Sequence, residues 1–357
     1  MRIGHNPSKA KGSPAYKPAR VGIATLTYVP ALEGYFREAL DVIDVHLASL
    51  RATLDHDCDL HVFDNGSCPE VVDYLEDQWR AGLIDWLSLS HHNLGKNGAL
   101  NWIFAAMPNE FIAYSDSDVF YRNGWLEASL KIFDSFKCAG MVSAQPVFFD
   151  FLRGQGTTAE QIEAAGDGLS VTTIKPRSEI VDEYCDGISA SEDLRRKFRE
   201  QELQVAVNES AGERAVTTAT DMQFILSKEV VSKLVPLPIA GALTAKDAID
   251  IPLGIEQLGY WLLSTIEPLV WHMGNSLAGD QIPEVDQLRD HLHPKQPEES
   301  APAQRTDFKS KMKSSLSKTI RRSPSIKRNV ERMYGGLFSL LYEEQHEPQS
   351  NDKHPQD

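Results

Sequence analysis

The segment Phe111-Ile-Ala-Tyr-Ser-Asp-Ser-Asp-Val119 ends a short apolar run in two acidic residues, one small residue apart. Such a run reads as a buried strand, and ligands of open α/β sheets bind beyond the carboxyl ends of the strands. Two carboxylates there, Asp116 and Asp118, suit a hard divalent cation that also holds phosphate oxygens. The chemistry indicated is a metal-assisted reaction on a phosphate-bearing substrate. The plainer alternative is a pair of acidic caps for the helix expected near Trp125.

Those carboxylates need a sheet to hold them. From Val21 to about Gln145, short apolar runs alternate with longer segments of helical period, the pattern of consecutive βαβ units and a mainly parallel sheet. Strands are expected at Val21–Thr27, Asp59–Asp64, Ile84–Ser90, Phe111–Ser115 and Gly140–Gln145, with helices near Glu33–Leu54, Pro69–Ala81, Gly98–Ala106 and Trp125–Phe136. In the first helix Phe36, Leu40, Ile43, Leu47 and Leu50 recur at three- and four-residue steps, so that face packs on the sheet. After Phe151 the texture changes, and roughly 151–215 reads as a partly helical, mobile insertion ending in the mixed-charge run Glu192–Glu202 and its neighbours. Regular structure resumes at Asp221–Leu226, with a short helix after Ser227, a helical pattern around Ile251–Leu258 and a final strand pair, Trp261–Ile266 and Pro268–His272. The expected division is a flexible arm over 1–19, a folded domain over 20–282, and a linker and tail over 283–357.

The chain's 357 residues, 41% of them hydrophobic, can bury a sizeable core. A formal charge of −15 repels a polyphosphate duplex, so no nucleic acid is expected as substrate or partner. Cys58, Cys68, Cys138 and Cys185 form no CxxC pair, which points to reduced thiols in a cytoplasmic compartment. No stretch reaches the roughly 18 apolar residues of a membrane span. The tail is basic around Lys309–Arg332 and then carries the apolar patch Tyr334–Tyr342, so 305–342 can lie peripherally on the inner membrane face, dock a partner, or remain a solvated tail.

Four segments in order, Val21–Thr27, His61-Val-Phe-Asp-Asn-Gly-Ser67, His92-Asn-Leu-Gly-Lys-Asn-Gly-Ala-Leu-Asn101 and Ser115-Asp-Ser-Asp-Val119, resemble the family 2 class of nucleotide-sugar-dependent glycosyltransferases with the GT-A fold, over roughly residues 20–275. The resemblance implies an α/β, Rossmann-like, mostly parallel mixed sheet flanked by helices. It implies nucleotide contacts from Thr25 and Thr27, a base contact from Asp64, and a positive group, Lys96, on phosphate or on base and ribose. The acidic pair matches the family's DxD motif. Successive residues of an extended chain face opposite ways, and the strand is expected to end and turn at this pair, which separates the two carboxylates. Asp118 is then the direct metal ligand and Asp116 the ribose or outer partner. The segment Leu269–Asn275 resembles the late strand that supplies a further ligand, here His272, and an imidazole beside a carboxylate favours Mn²⁺, with Mg²⁺ the alternative.

In inverting members the base lies in an acidic cluster before a Gly-Tyr turn. Counting back from Leu258-Gly-Tyr260 gives Asp247-Ala-Ile-Asp250, with Ala248 where the family usually carries the base. Asp250 is the preferred substitute, Asp247 and Asp221 the others, and a retaining course stays open; Asp247 as a helix cap is the plainer alternative. The expected reaction moves a sugar from a UDP- or GDP-sugar to a saccharide, lipid-linked or other hydroxyl acceptor in glycoconjugate synthesis, with 151–215 as a lid. The rivals are an inactive nucleotide-binding scaffold and a phosphatase of the haloacid dehalogenase type, which carries its Asp-x-Asp on the first strand of its core.

Overall fold

The run Val21–Thr27 is buried along almost its whole length and forms strand β1. The computed structural model describes residues 15–54, 58–148, 156–166, 168–239 and 247–277, the side chains of 247–249 excepted. The chain divides into two units, and all elements below belong to Lys17–Pro294. The other unit, Met1–Tyr16 with Lys295–Asp357, lies outside the described residues save for Ala15 and Tyr16, as do most of the expected arm and the linker and basic tail.

Parallel neighbours extend from β1 on both sides: β2 (Cys58–Asp64) and then β3 (Trp86–Leu89) on one, β4 (Phe111–Asp116) on the other. β10 (Gln223–Ser227) runs antiparallel between β4 and β6 (Ala139–Ser143), and β11 (Trp261–Ser264) lies parallel to β6. An antiparallel run of β9 (Glu213–Val216), β8 (Leu203–Asn208) and β7 (Leu169–Ile174) completes the order β3-β2-β1-β4-β10-β6-β11-β9-β8-β7. Most strands therefore point one way, with β10, β9 and β7 opposed: a mixed α/β sheet.

Period-two alternation sorts the strands' side chains into two apolar layers. Val21 and Ile23 of β1, Val62 of β2 and Ala113 of β4 pack beneath Ile43, Leu47 and Leu50 of helix α1 (Ala39–Ala52), Val71 and Leu75 of α2 (Pro69–Arg80) and Trp125 of α4 (Trp125–Ser135). Ala24, Ile112, Tyr114 and Phe224 pack on the other face against Leu100, Ile103 and Phe104 of α3 (Gly95–Ala106), Val230 and Val231 of α8 (Lys228–Leu234), and Ile251 and Ile255 of α9 (Asp247–Gln257).

Two expectations change. The stretch 151–215 supplies helices α5 (Thr158–Ala165), α6 (Ser178–Gly187) and α7 (Glu192–Glu200), and also β7, β8 and β9, which extend the main sheet. The two late strands do not pair with each other. β11 lies inside the sheet, whereas β12 (Val270–His272) pairs antiparallel with a strand absent from the sequence-based reading, β5 (Val119–Tyr121), in a small separate sheet. Pro268, which has no N–H to offer a ladder, stands where the chain passes from one sheet to the other.

Candidate active site

Alternation along β4 decides where its carboxylates emerge. Tyr114 lies in the layer beneath α3, so Asp116 comes out on that side and meets Lys96, near the start of α3. The Lys96 ammonium donates to Asp116 Oδ2 at 3.1 Å, to Asp221 Oδ2 at 3.2 Å and to the Asp221 carbonyl at 3.0 Å. The Tyr114 hydroxyl donates to the other Asp116 oxygen at 2.5 Å. Burial disfavours charge on Lys96, but the two carboxylates outweigh it and raise its pKa above the ordinary lysine value. Burial raises the Asp116 carboxyl, with Lys96 opposing and Asp118 and Asp221 adding to the rise. One ammonium thus serves two carboxylates.

Asp118 lies in the turn between β4 and β5 and meets a different partner. The β5–β12 register sets Val119 opposite His272, and His272 Nε2 stands 3.2 Å from Asp118 Oδ2. His272 Nδ1 donates to the carbonyl of Gly187, the last residue of α6, at 2.8 Å. That bond fixes the ring and leaves Nε2 for Asp118, the usual way an imidazole ligand is oriented. A Cβ on Gly187 would fall 2.4 Å from the His272 carbonyl oxygen, so only glycine allows the approach. Burial opposes charge on His272, yet Asp118 raises its pKa to about 9. The same pairing holds Asp118 below its ordinary value against the effect of burial.

Asp118 Oδ1 is buried with no hydrogen-bond partner. A carboxylate with an unsatisfied oxygen beside an oriented imidazole fits a divalent cation that takes oxygen ligands together with a nitrogen. Among the described residues no three His, Cys, Asp or Glu side chains converge to hold an ion unaided. An ion bound by this pair would take its remaining ligands from substrate oxygens and water.

The residues expected to touch the nucleotide are buried and bonded within the chain. Thr25 Oγ1 is 3.0 Å from His46 Nε2, and the Thr27 hydroxyl donates to Asp64 Oδ1 at 3.0 Å. Asp64 Oδ2 accepts from the backbone N–H groups of Gly66 at 3.1 Å and Ser67 at 3.0 Å. In this arrangement Asp64 organises the turn after β2, where Gly66 has φ +92°. Asn65 then ties that turn to the start of α3, accepting from Leu94 N at 2.8 Å and donating to Asn93 Oδ1 at 3.0 Å. Asp250 accepts from Asn97 Nδ2 at 2.8 Å, which sets the first turn of α9 beside the residue next to Lys96. The Asp247 side chain lies outside the described residues.

Residues 35–165 match the family model described as Glycosyl transferase family 2. Over that stretch the chain carries a family 2-like glycosyltransferase domain. No curated protein matches the chain. The matched stretch of the transferase holds Asp64, Lys96, Asp116 and Asp118, whereas Thr25, Thr27, Asp221, Asp250 and His272 lie outside it. Sequence reasoning missed three participants. Tyr114 was findable, because it stands two residues before Asp116 on one strand and so shares its face. Asn97 follows Lys96 at a helix start, a position where an amide ordinarily signals only capping. Gly187 carries no local signal, since its role depends on a strand some 85 residues away in sequence.

Proposed function

We propose that this glycosyltransferase moves a sugar from a nucleotide-diphosphate donor to an acceptor hydroxyl with a divalent cation, Mn²⁺ or Mg²⁺, held by Asp118 and His272. The observation that carries the proposal is the pairing of these two side chains at the carboxyl end of β4, with an Asp118 oxygen left unsatisfied. When bound, the cation supplies charge neutralisation on the leaving diphosphate. Gly187 keeps the His272 ring aimed at that place.

Lys96 adds a second positive group on the α3 side of the same strand end. Without donor it is shared by Asp116 and Asp221; with donor it exchanges part of that pairing for phosphate oxygens, and Asp116 is freed to accept from a ribose hydroxyl. Asp250, oriented by Asn97, takes the proton of the acceptor hydroxyl as its oxygen bonds to the anomeric carbon and the bond to the diphosphate breaks, in an inverting course. Asp247 and Asp221 are the other carboxylates available for that role. Within 151–215, helix α6, whose Gly187 reaches His272, would cover the donor and exclude water.

The test is slow donor hydrolysis, followed by NMR for a panel of UDP- and GDP-sugars with Mn²⁺ or with EDTA. Release of one nucleotide that requires metal and is abolished in Asp118→Ala supports the proposal. Release that is indifferent to metal in the unaltered protein sinks it.

A further inference from the structure

Among the described residues, the strand that carries Asp118 toward His272 has a neighbouring strand on one edge only. β5 pairs with β12 through Phe120 and its flanks, and Met273 N donates to the Asp118 carbonyl at 2.8 Å. In an antiparallel pair the next backbone groups along the strand point away from the partner. For β5 these are the Val119 carbonyl and the Tyr121 N–H, and both end on side chains of α1. His46 Nδ1 lies 2.7 Å from the Val119 carbonyl, and Tyr121 N donates to Ser49 Oγ at 3.1 Å. Ser49 in turn donates to the His46 carbonyl at 3.0 Å, and Thr53 accepts from Trp125 Nε1 at 3.2 Å. His46 and Ser49 stand three residues apart on one face of α1, and Thr53 caps its end. That polar stripe takes the place of a missing strand.

The carbonyl can only accept, so His46 carries its proton on Nδ1, and Nε2 accepts from the Thr25 hydroxyl. One buried ring therefore joins the end of β1 to the residue after Asp118. We propose that His46 and Ser49 are positioning residues for the Asp118–His272 pair: they fix β5 in register with β12, and hence the separation of the two metal-binding side chains. The proposal rests on the metal role given to that pair above.

The test measures Mn²⁺ affinity by water-proton relaxation on the full chain with UDP and GDP both present, for the unaltered protein and for His46→Gln, His46→Asn, Ser49→Ala and Asp118→Asn. Glutamine reaches Thr25 and gives up the Val119 bond, whereas asparagine keeps a donor where Nδ1 stands. Expected is a loss of about tenfold or more for His46→Gln, under about threefold for His46→Asn, and about fivefold for Ser49→Ala, in the range set by outer-sphere partners of metal ligands. The two His46 variants should lose melting temperature alike, so a merely structural role would not separate their affinities. Unchanged affinity in His46→Gln and Ser49→Ala, with Asp118→Asn weakened, overturns the positioning role and leaves the metal pair standing. Full affinity in Asp118→Asn overturns both. If His46→Gln does not fold, Ser49→Ala against the unaltered protein decides.

Discussion

Replacing Gly187 with alanine should damage both the fold and the metal response, because α6 and β12 touch through that residue. The added Cβ would lie 2.4 Å from the His272 carbonyl oxygen, where ordinary contact begins at 3.4 Å, so helix and strand must part by about 1 Å. The 2.8 Å bond from His272 Nδ1 to the Gly187 carbonyl then stretches past hydrogen-bonding range. Overpacking a close contact costs about 1–3 kcal/mol, and losing a hydrogen bond from a charged ring about 1.5–3 kcal/mol. Together these come to roughly 2.5–6 kcal/mol, or a fall in Tm of roughly 5–24 °C for a domain of this size. Mn²⁺ affinity should drop about tenfold as the ring loses its orientation. Differential scanning calorimetry and a Mn²⁺ titration of the same preparation read both effects. A Tm within about 2 °C of the unaltered protein, with full Mn²⁺ affinity, would refute the argument.

Three further outcomes follow from the site. Lys96→Met leaves Asp116 and Asp221 facing each other without their ammonium, so the donor-free protein should lose about 3 kcal/mol or more, and nucleotide affinity should fall too; denaturant unfolding and calorimetric nucleotide titration check the two. In the metal-free protein the His272 pKa is raised from 6.5 to about 9 by Asp118, so their pairing stabilises fully below the lower value and is lost as pH rises through the upper one. Asp118, lowered from 3.8, adds stability above that value and loses it as pH falls further. Metal-free melting temperatures should therefore decline between about pH 6.5 and 9 in the unaltered protein, and His272→Gln should flatten that decline. Asp250→Asn should lower kcat by about 100-fold or more in an inverting course while leaving nucleotide binding unchanged, as read by steady-state transfer and a parallel binding titration.

Much of the frame was legible because its signals are local. The runs that became β1 and β4 are mostly apolar stretches closed by polar turns, β2 sets Leu60, Val62 and Phe63 before its own polar turn, and the face of α1 formed by Ile43, Leu47 and Leu50 follows simple helical spacing. The acidic pair announced the site for the same reason. What stayed hidden depends on distant partners. β5 is three residues long and has too little pattern to register, yet it decides that Asp118 meets His272 rather than Lys96. The buried polar face of α1, His46 and Ser49, breaks no helical rule and becomes meaningful only when β5 needs hydrogen-bond partners. Asp64 reads as a ligand contact by its place at the end of β2, and within the chain Thr27 of β1 and the turn residues Gly66 and Ser67 engage both of its oxygens.

The most direct test of the metal-dependent donor site is a thermal-shift screen of UDP, GDP and CDP and their common sugars, with Mn²⁺, Mg²⁺ or EDTA, repeated on Asp118→Ala. The predicted result is stabilisation by the nucleotides of one base that requires a divalent cation and disappears in Asp118→Ala. Stabilisation that survives both EDTA and the loss of Asp118, or no response to any nucleotide, would contradict it.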